Sequence, residues 1–237
     1  MTTGDQGSSL SDVSAGLTRA VPIILGYVPI GLTYGVLAQK AGLSGLNAVL
    51  MSLLVYAGSS QLVAAGLFGS GASAPSIVLT TFVVNLRHML LSAAVAPYLK
   101  RWGRGELAAF AYELTDETFA LHAASFPSGV PPKGEVFAIN AAGQASWLLG
   151  TGLGVALGEV IRDVEPLGLD YVLPAMFIAL SVMQMEDMKG FAVALFSGTL
   201  SVALLLLGAG QWNVILATVI GASTGVLLEL WTNNRSS

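Results

Sequence analysis

Seven strongly apolar stretches follow one another along the chain, at about 20–38, 46–68, 76–99, 136–157, 171–185, 190–207 and 214–231. A helix crossing a bilayer takes roughly 20 predominantly apolar residues. Inside lipid every backbone N–H and C=O must be bonded within the protein, which admits only helices or a closed barrel. The stretches show no alternation and are too long for strands, so they read as helices. Charged residues make up 10% of the chain and apolar ones 54%, whereas a soluble domain carries about 25% charge. The fold expected is all-α, a polytopic transmembrane helix bundle with broken or re-entrant helices. Its 237 residues hold six to eight helices with short loops and leave no length for a water-soluble domain. A polar N-terminal tail over 1–18, one transmembrane domain over 19–231 and a polar C-terminal tail over 232–237 complete the division.

Several chemistries are excluded at this level. The formal charge is -4 with no basic run interleaved with aromatics, so nucleic acid is not an expected partner. With no cysteine, disulfides, thiolate metal sites and cysteine nucleophiles are ruled out. No second histidine or carboxylate stands at ligand spacing from His88, so no metal is expected. Residues 1–18 lack the positive start of a signal peptide, which makes the first helix a retained anchor. Gly150-Thr151-Gly152-Leu153-Gly154 resembles a nucleotide loop but follows no strand, and no cofactor is expected from it. Gly150, Gly154 and Gly158 instead form a ridge of small residues, as do Gly31 with Gly35 and Gly221 with Gly225. Such ridges let helix backbones approach closely in lipid.

The stretch from Glu106 to Ser125 is ambiguous. Glu106, Glu113 and Glu117 fall on one helical face, which suits either an interfacial helix or a spanning helix with its acidic stripe turned inward. Lys100, Arg101 and Arg104 mark a cytoplasmic loop. The segment from Glu159 to Asp170 has four acids against Arg162 and reads as extracytoplasmic. Six crossings satisfy these preferences if the third stretch is re-entrant and the acidic helix lies at the interface; eight follow if both span. Ala57-Gly58-Ser59-Ser60-Gln61 and Ala141-Ala142-Gly143-Gln144-Ala145-Ser146 are both small-polar clusters within apolar helices. A two-fold internal pseudo-repeat, common in transporters, and chance recurrence both account for them.

The polar residues inside apolar runs carry the functional signal. Arginine at the centre of a spanning helix costs about 2.5 to 3.5 kcal/mol on insertion scales. Arg87 stands there beside Asn85 and His88. It either meets a substrate carboxylate, forms an internal ion pair coupled to motion, or sits in water at the tip of a re-entrant loop. His88 is a helix-packing residue or a proton carrier. Asp116 and Glu117 are adjacent carboxylates, which suit a proton carrier in a low dielectric or a solvated acidic face. Gly58, Ser59, Ser60 and Gln61 fit an unwound helix centre open to a polar ligand, or an intact helix with back-bonded serines. Pro22, Gly26, Pro29 and Gly31 interrupt the first stretch, as a gating kink or as a packed bend.

These elements together resemble the AzlC-type branched-chain amino acid exporters. The resemblance rests on Pro22…Gly26…Pro29-Ile30-Gly31…Gly35, on Tyr56-Ala57-Gly58-Ser59-Ser60-Gln61 against an A-G-x-x-Q element, on Asn85-Leu86-Arg87-His88 against N-x-R-H, and on Thr115-Asp116-Glu117 against T-D-E. It covers about 20–120; the second half agrees only in hydropathy and length. It implies export of leucine, isoleucine and valine across the bacterial cytoplasmic membrane, with a small hydrophobic AzlD-type subunit and a proton or ion gradient as the driving force. On that reading Arg87 and Asn85 hold the substrate carboxylate. Ser59, Ser60 and Gln61 face its ammonium, and Asp116 or Glu117 carries the proton. Two other classes stand beside it: a passive channel or noncatalytic membrane subunit, and an intramembrane serine hydrolase pairing Ser59 or Ser60 with His88.

Overall fold

The computed structural model describes residues 10–158, 188–209 and 212–233, with isolated positions between 160 and 182. The described residues are helical, without strands. In chain order the helices are α1 (Leu10–Lys40), α2 (Gly45–Leu54), α3 (Gly58–Gly69), α4 (Ala74–Val95), α5 (Arg104–Tyr112), α6 (Asp116–Ser125), α7 (Lys133–Gly158), α8 (Met188–Leu206) and α9 (Trp212–Asn233). Two compact units result, one over Met1–Val172 and one over Leu173–Ser237. The stretch at 171–185 and most of the acidic segment from Glu159 to Asp170 lie outside the described residues.

The first unit is built on α1 against α7. Their glycine ridges face each other: a Cβ on Gly31 would stand 2.8 Å from the Trp147 carbonyl oxygen, and one on Gly16 2.7 Å from Ala138 Cβ. At Gly35, Gly150 and Gly154 an added Cβ would run into the backbone of the opposite helix. This is the close approach that small residues permit in lipid, where dispersion rather than hydrophobicity holds helices together. An ion pair of 2.5 Å between Arg19 and Glu135 ties the two helices near one end. In the second unit the same device recurs on a smaller scale, with Gly221 of α9 against the Ser197 side chain of α8.

The apolar surface points outward. On α4, Phe82, Leu86, Met89 and Leu90 are exposed, spaced along one face, while only Val95 is buried. The buried set is rich in polar groups: Ser52, Ser59, Ser60, Gln61, Thr115, Thr118, His122, Asn140 and Thr151. Among the described residues three helices are long and apolar enough to cross a bilayer by themselves: Leu10–Lys40, Ala74–Tyr98 and Met188–Leu206. The chain is an all-α membrane protein.

Three expectations change in detail. The first helix starts at Leu10, inside the expected polar tail, and runs through Pro22 and Pro29 without a break. The third stretch is not re-entrant: α4 is one continuous helix from Ala74 to Val95, so Asn85, Arg87 and His88 lie on helix rather than at a loop tip. The acidic stretch is not one helix. It divides at Glu113–Thr115 because Thr115 caps a new start: its hydroxyl accepts from Thr118 N, and Thr118 Oγ1 accepts from Thr115 N. Threonine followed by acids is a favourable helix N-terminus for both capping and dipole reasons. At 9 and 10 residues, α5 and α6 are each about 15 Å long, half a bilayer core.

Candidate functional site

The second stretch breaks just ahead of the small-polar run rather than within it, and Gly58–Gln61 are helical. The helix stops at Leu54, Val55–Ala57 are non-helical, and α3 restarts at Gly58. Tyr56 takes a φ of 43°, a left-handed conformation costly for a residue with a bulky side chain. Two glycines make room here. A Cβ on Gly58 would meet the Trp147 ring at 2.8 Å, and one on Gly143 would meet the Tyr56 hydroxyl at 2.9 Å. Each of the two small-polar clusters thus places a glycine against an aromatic residue that flanks the other. The Leu53 carbonyl, freed by the break, accepts from the Tyr112 hydroxyl and from Gln144 Nε2.

Around this break the structure gathers a charged cluster from four segments. Arg87 of α4 pairs with Asp116 of α6 at 2.6 Å, with side chains 25% and 20% exposed. Its other terminal nitrogen donates to the Ser59 hydroxyl at 2.6 Å. Ser60 donates to Asn85 Oδ1. His88 Nδ1 lies 3.0 Å from the Leu114 carbonyl. From α1, the Tyr27 hydroxyl donates to Glu117 Oε2 at 2.5 Å and stands 2.7 Å from Thr115 Oγ1. The two adjacent carboxylates thus point to different partners on different helices. An ion pair in a low dielectric gains strength from its surroundings, although each ion loses its hydration.

Gln61 has a different place. It is fully buried, and its amide donates to Ser52 Oγ at 2.9 Å and accepts from Trp147 Nε1 at 3.0 Å. Ser52 also meets Thr151 Oγ1 at 2.8 Å. Trp147 packs edge-on to Tyr27 and stacks on Tyr34. This network braces α2, α3 and α7 and leaves Gln61 facing protein. Neither Ser59 nor Ser60 hydrogen-bonds His88, so these residues form no serine–histidine pair. Pro22, Gly26 and Pro29 lie along unbroken α1, with Gly26 in open space and Gly31 in the seam with α7.

Glu106 parts from the acidic stripe altogether. It pairs with Lys133 at 2.6 Å and accepts from Gly103 N–H at the start of α5. The Lys133 ammonium, followed by the Gly103 N–H, holds its carboxyl below the usual carboxylate range.

Sequence reasoning missed Tyr27, Tyr56, Ser52, Trp147 and Thr151, and also a second buried pair, His122 Nε2 with Asn140 Oδ1 at 2.8 Å. Aromatics in apolar helices are common core residues, so their type alone gave no signal. The Thr115 cap was legible as Thr-Asp-Glu-Thr, a helix start in the middle of an assumed helix.

The segment holding the whole cluster also decides the relationship. A family model described as AzlC protein matches residues 22–161, more than half of the chain. The chain belongs to the AzlC family. Similar proteins include an uncharacterized membrane protein of Archaeoglobus fulgidus, 32% identical over 222 residues, covering 91% of this chain and 93% of that one. The branched-chain amino acid transport protein AzlC of Bacillus subtilis is 28% identical over 212 residues, 89% of this chain and 82% of that one. The inner membrane protein YgaZ of Escherichia coli is 27% identical over 221 residues, 91% and 88% respectively. No solved structure matches this AzlC-family chain. The relatives extend well past the residues that carried the sequence resemblance, into the second half of the chain.

Proposed function

We propose that this AzlC-family protein is a secondary transporter that exports branched-chain amino acids across the bacterial cytoplasmic membrane, driven by a proton or ion gradient and working with a small hydrophobic AzlD-type subunit. The observation that carries the reading is the Arg87–Asp116 pair, largely buried on an apolar helix beside a broken one. The Bacillus subtilis relative, named a branched-chain amino acid transport protein, supports the substrate class.

The chemistry follows from competition for one guanidinium. Arg87 is already neutralised by Asp116 and held by Ser59. A substrate carboxylate displaces Asp116 from that guanidinium on the loading side, and re-formation of the internal pair expels it on the other. For an inward proton gradient to drive this export the proton is taken up where the amino acid leaves and released where it loads, and Asp116 or Glu117 is the carboxyl that carries it. Asn85 and Ser60 orient the approach, Glu117 with Tyr27 forms a second proton-bearing pair, and Pro22 and Pro29 let α1 flex between states. Paired with Asp116 while empty and with the substrate carboxylate while loaded, Arg87 never presents an unpaired charge to lipid, which would cost several kcal/mol.

The test is leucine and valine efflux from proteoliposomes, with and without the small subunit. Arg87→Ala is expected to lower efflux by about 100-fold or more, the scale of a buried charge pair broken from one side, while membrane insertion is unchanged. Full efflux by that variant would remove the central assignment, and flux that never saturates would point to a pore instead.

A further inference from the structure

The adjacent carboxylates Asp116 and Glu117 are both placed to carry a proton, and the structure gives them partners of opposite kinds. Asp116 pairs with the Arg87 guanidinium at 2.6 Å. A guanidinium is always charged and donor-only, so it suits an ionised carboxyl and offers no acceptor to a carboxylic O–H. Arg19 meets Glu135, Lys133 meets Glu106, and no cation among the described residues pairs with Glu117. The partner of Glu117 is the Tyr27 hydroxyl, a group that both donates and accepts.

That phenol continues into a short chain of hydroxyls. Tyr27 Oη stands 2.7 Å from Thr115 Oγ1, and Thr115 Oγ1 stands 3.2 Å from Thr118 Oγ1. All three residues are buried. A phenol has a single hydrogen, so Tyr27 donates to Glu117 or to Thr115 but not to both at once. With Glu117 ionised, the phenol donates to the carboxylate and accepts from the Thr115 hydroxyl. With Glu117 protonated, its O–H donates to the phenol oxygen and the phenol donates to Thr115 Oγ1. The Thr115 hydroxyl then donates to Thr118 Oγ1. Thr115 Oγ1 still accepts the cap bond from Thr118 N in either state. Turning two hydroxyl hydrogens therefore satisfies both protonation states on the same heavy-atom positions. His88 and Tyr56 lie within electrostatic reach of Glu117, and neither hydrogen-bonds it. Asp116 has no such chain. Protonating it strips Arg87 of its counter-charge, which is costly in a low dielectric.

The direction of transport favours the same carboxyl. A proton that drives export travels inward with the empty carrier, the state in which Asp116 stays ionised to pair Arg87. We infer that Glu117 is the carboxyl that carries the proton, with Tyr27 and Thr115 as its reversible hydroxyl partners, while Asp116 serves as the counter-charge of Arg87. Outside, a proton from water adds to a Glu117 carboxylate oxygen as the amino acid leaves. Inside, that O–H bond breaks and the proton returns to water as the next amino acid loads. The inference rests on the proton-driven reading above and deepens it, by separating the group that couples from the pair that binds.

The test measures two fluxes of labelled leucine in proteoliposomes holding the full chain and the small hydrophobic subunit. One is exchange against unlabelled leucine, which moves no net proton; the other is accumulation driven by an acid interior. In Glu117→Gln accumulation is expected to be lost, so that leucine only equalises across the membrane, while exchange continues. Tyr27→Phe is expected to slow accumulation by about threefold to tenfold, the scale of one hydrogen bond, again with exchange retained. In Asp116→Asn both fluxes are expected to fall by about 100-fold or more, because the guanidinium loses its partner. Accumulation that survives Glu117→Gln, exchange lost along with it, or full exchange by Asp116→Asn overturns the assignment. Accumulation unchanged in Tyr27→Phe removes the hydroxyl chain from it. Wild-type protein that exchanges leucine without accumulating it sinks proton coupling, and wild-type protein that exchanges none sinks the amino-acid reading itself.

Discussion

Gln61 and Arg87 stand 26 positions apart and show how differently two polar residues are used inside one bundle. Gln61 satisfies both ends of its amide within the protein and so braces the break. Gln61→Leu would remove two bonds of the network while the Trp147 N–H keeps Ser52 Oγ at 3.1 Å and Ser52 keeps Thr151, at about 0.5 to 1.5 kcal/mol for each hydrogen bond lost. The expected outcome is a lowered unfolding temperature in detergent with leucine affinity in the surviving folded protein unchanged; a selective loss of affinity would return Gln61 to the ligand site. Arg87 is the reverse case, since two of its nitrogens are engaged while its Nε is unpartnered and buried. Its guanidinium is committed in the empty state but retains capacity, as an exchangeable partner requires.

At the scale of elements, the seam between α1 and α7 and the two broken segments divide the work. The seam is rigid because it is made by backbone against backbone. An added Cβ at Gly35 would meet Val155 N at 2.8 Å and Gly154 Cα at 2.9 Å, and no side-chain rotation relieves that. Gly26 on the same helix has nothing within 4 Å. Gly35→Ala is therefore expected to reduce the yield of folded protein sharply, as overpacking that forces helices apart costs about 1 to 3 kcal/mol or more. Gly26→Ala is expected to be neutral or to stabilise by about 0.5 to 1 kcal/mol, the helix-interior difference between glycine and alanine. Thermal unfolding of the two variants separates them, and lost transport in a stable Gly26→Ala would show that this glycine serves gating after all. The breaks at Val55–Ala57 and Glu113–Thr115 do the opposite work: they expose helix ends and bring Ser59 and Asp116 to Arg87 of α4. The first lies beside an anticipated polar interruption; the second was read as one acidic helix, and the cap by Thr115 explains why it is a chain break instead.

For the whole molecule, orientation in the bilayer is set by charge in the loops. Lys100 and Arg101 lie between α4 and α5 and Arg104 opens α5, and such clusters stay on the cytoplasmic side. The chain has no cysteine, so a single introduced thiol reports one position without background. Arg101→Cys is expected to react with a membrane-impermeant maleimide in inside-out vesicles and to be protected in intact cells; labelling from outside would reverse the topology. The helices α5 and α6 are each about half the length of a crossing, whereas the unbroken α4 has the length of a full one.

The run lengths, the scarcity of charge and the glycine spacing were sufficient to give an all-helical membrane bundle, because a bilayer tolerates few alternatives for an apolar chain. They were also sufficient to single out Arg87, Asp116 and Glu117, since an ionisable group in lipid is expensive and stands out from its neighbours. Which group each of them meets was beyond reach of the sequence. Tyr27 lies 90 positions from Glu117, and Trp147 lies 86 from Gln61, so their pairing depends on how α1, α3, α6 and α7 pack. That packing is decided by backbone approach at the glycines and by caps that end one helix and begin the next, and such contacts exist only once the chain has folded.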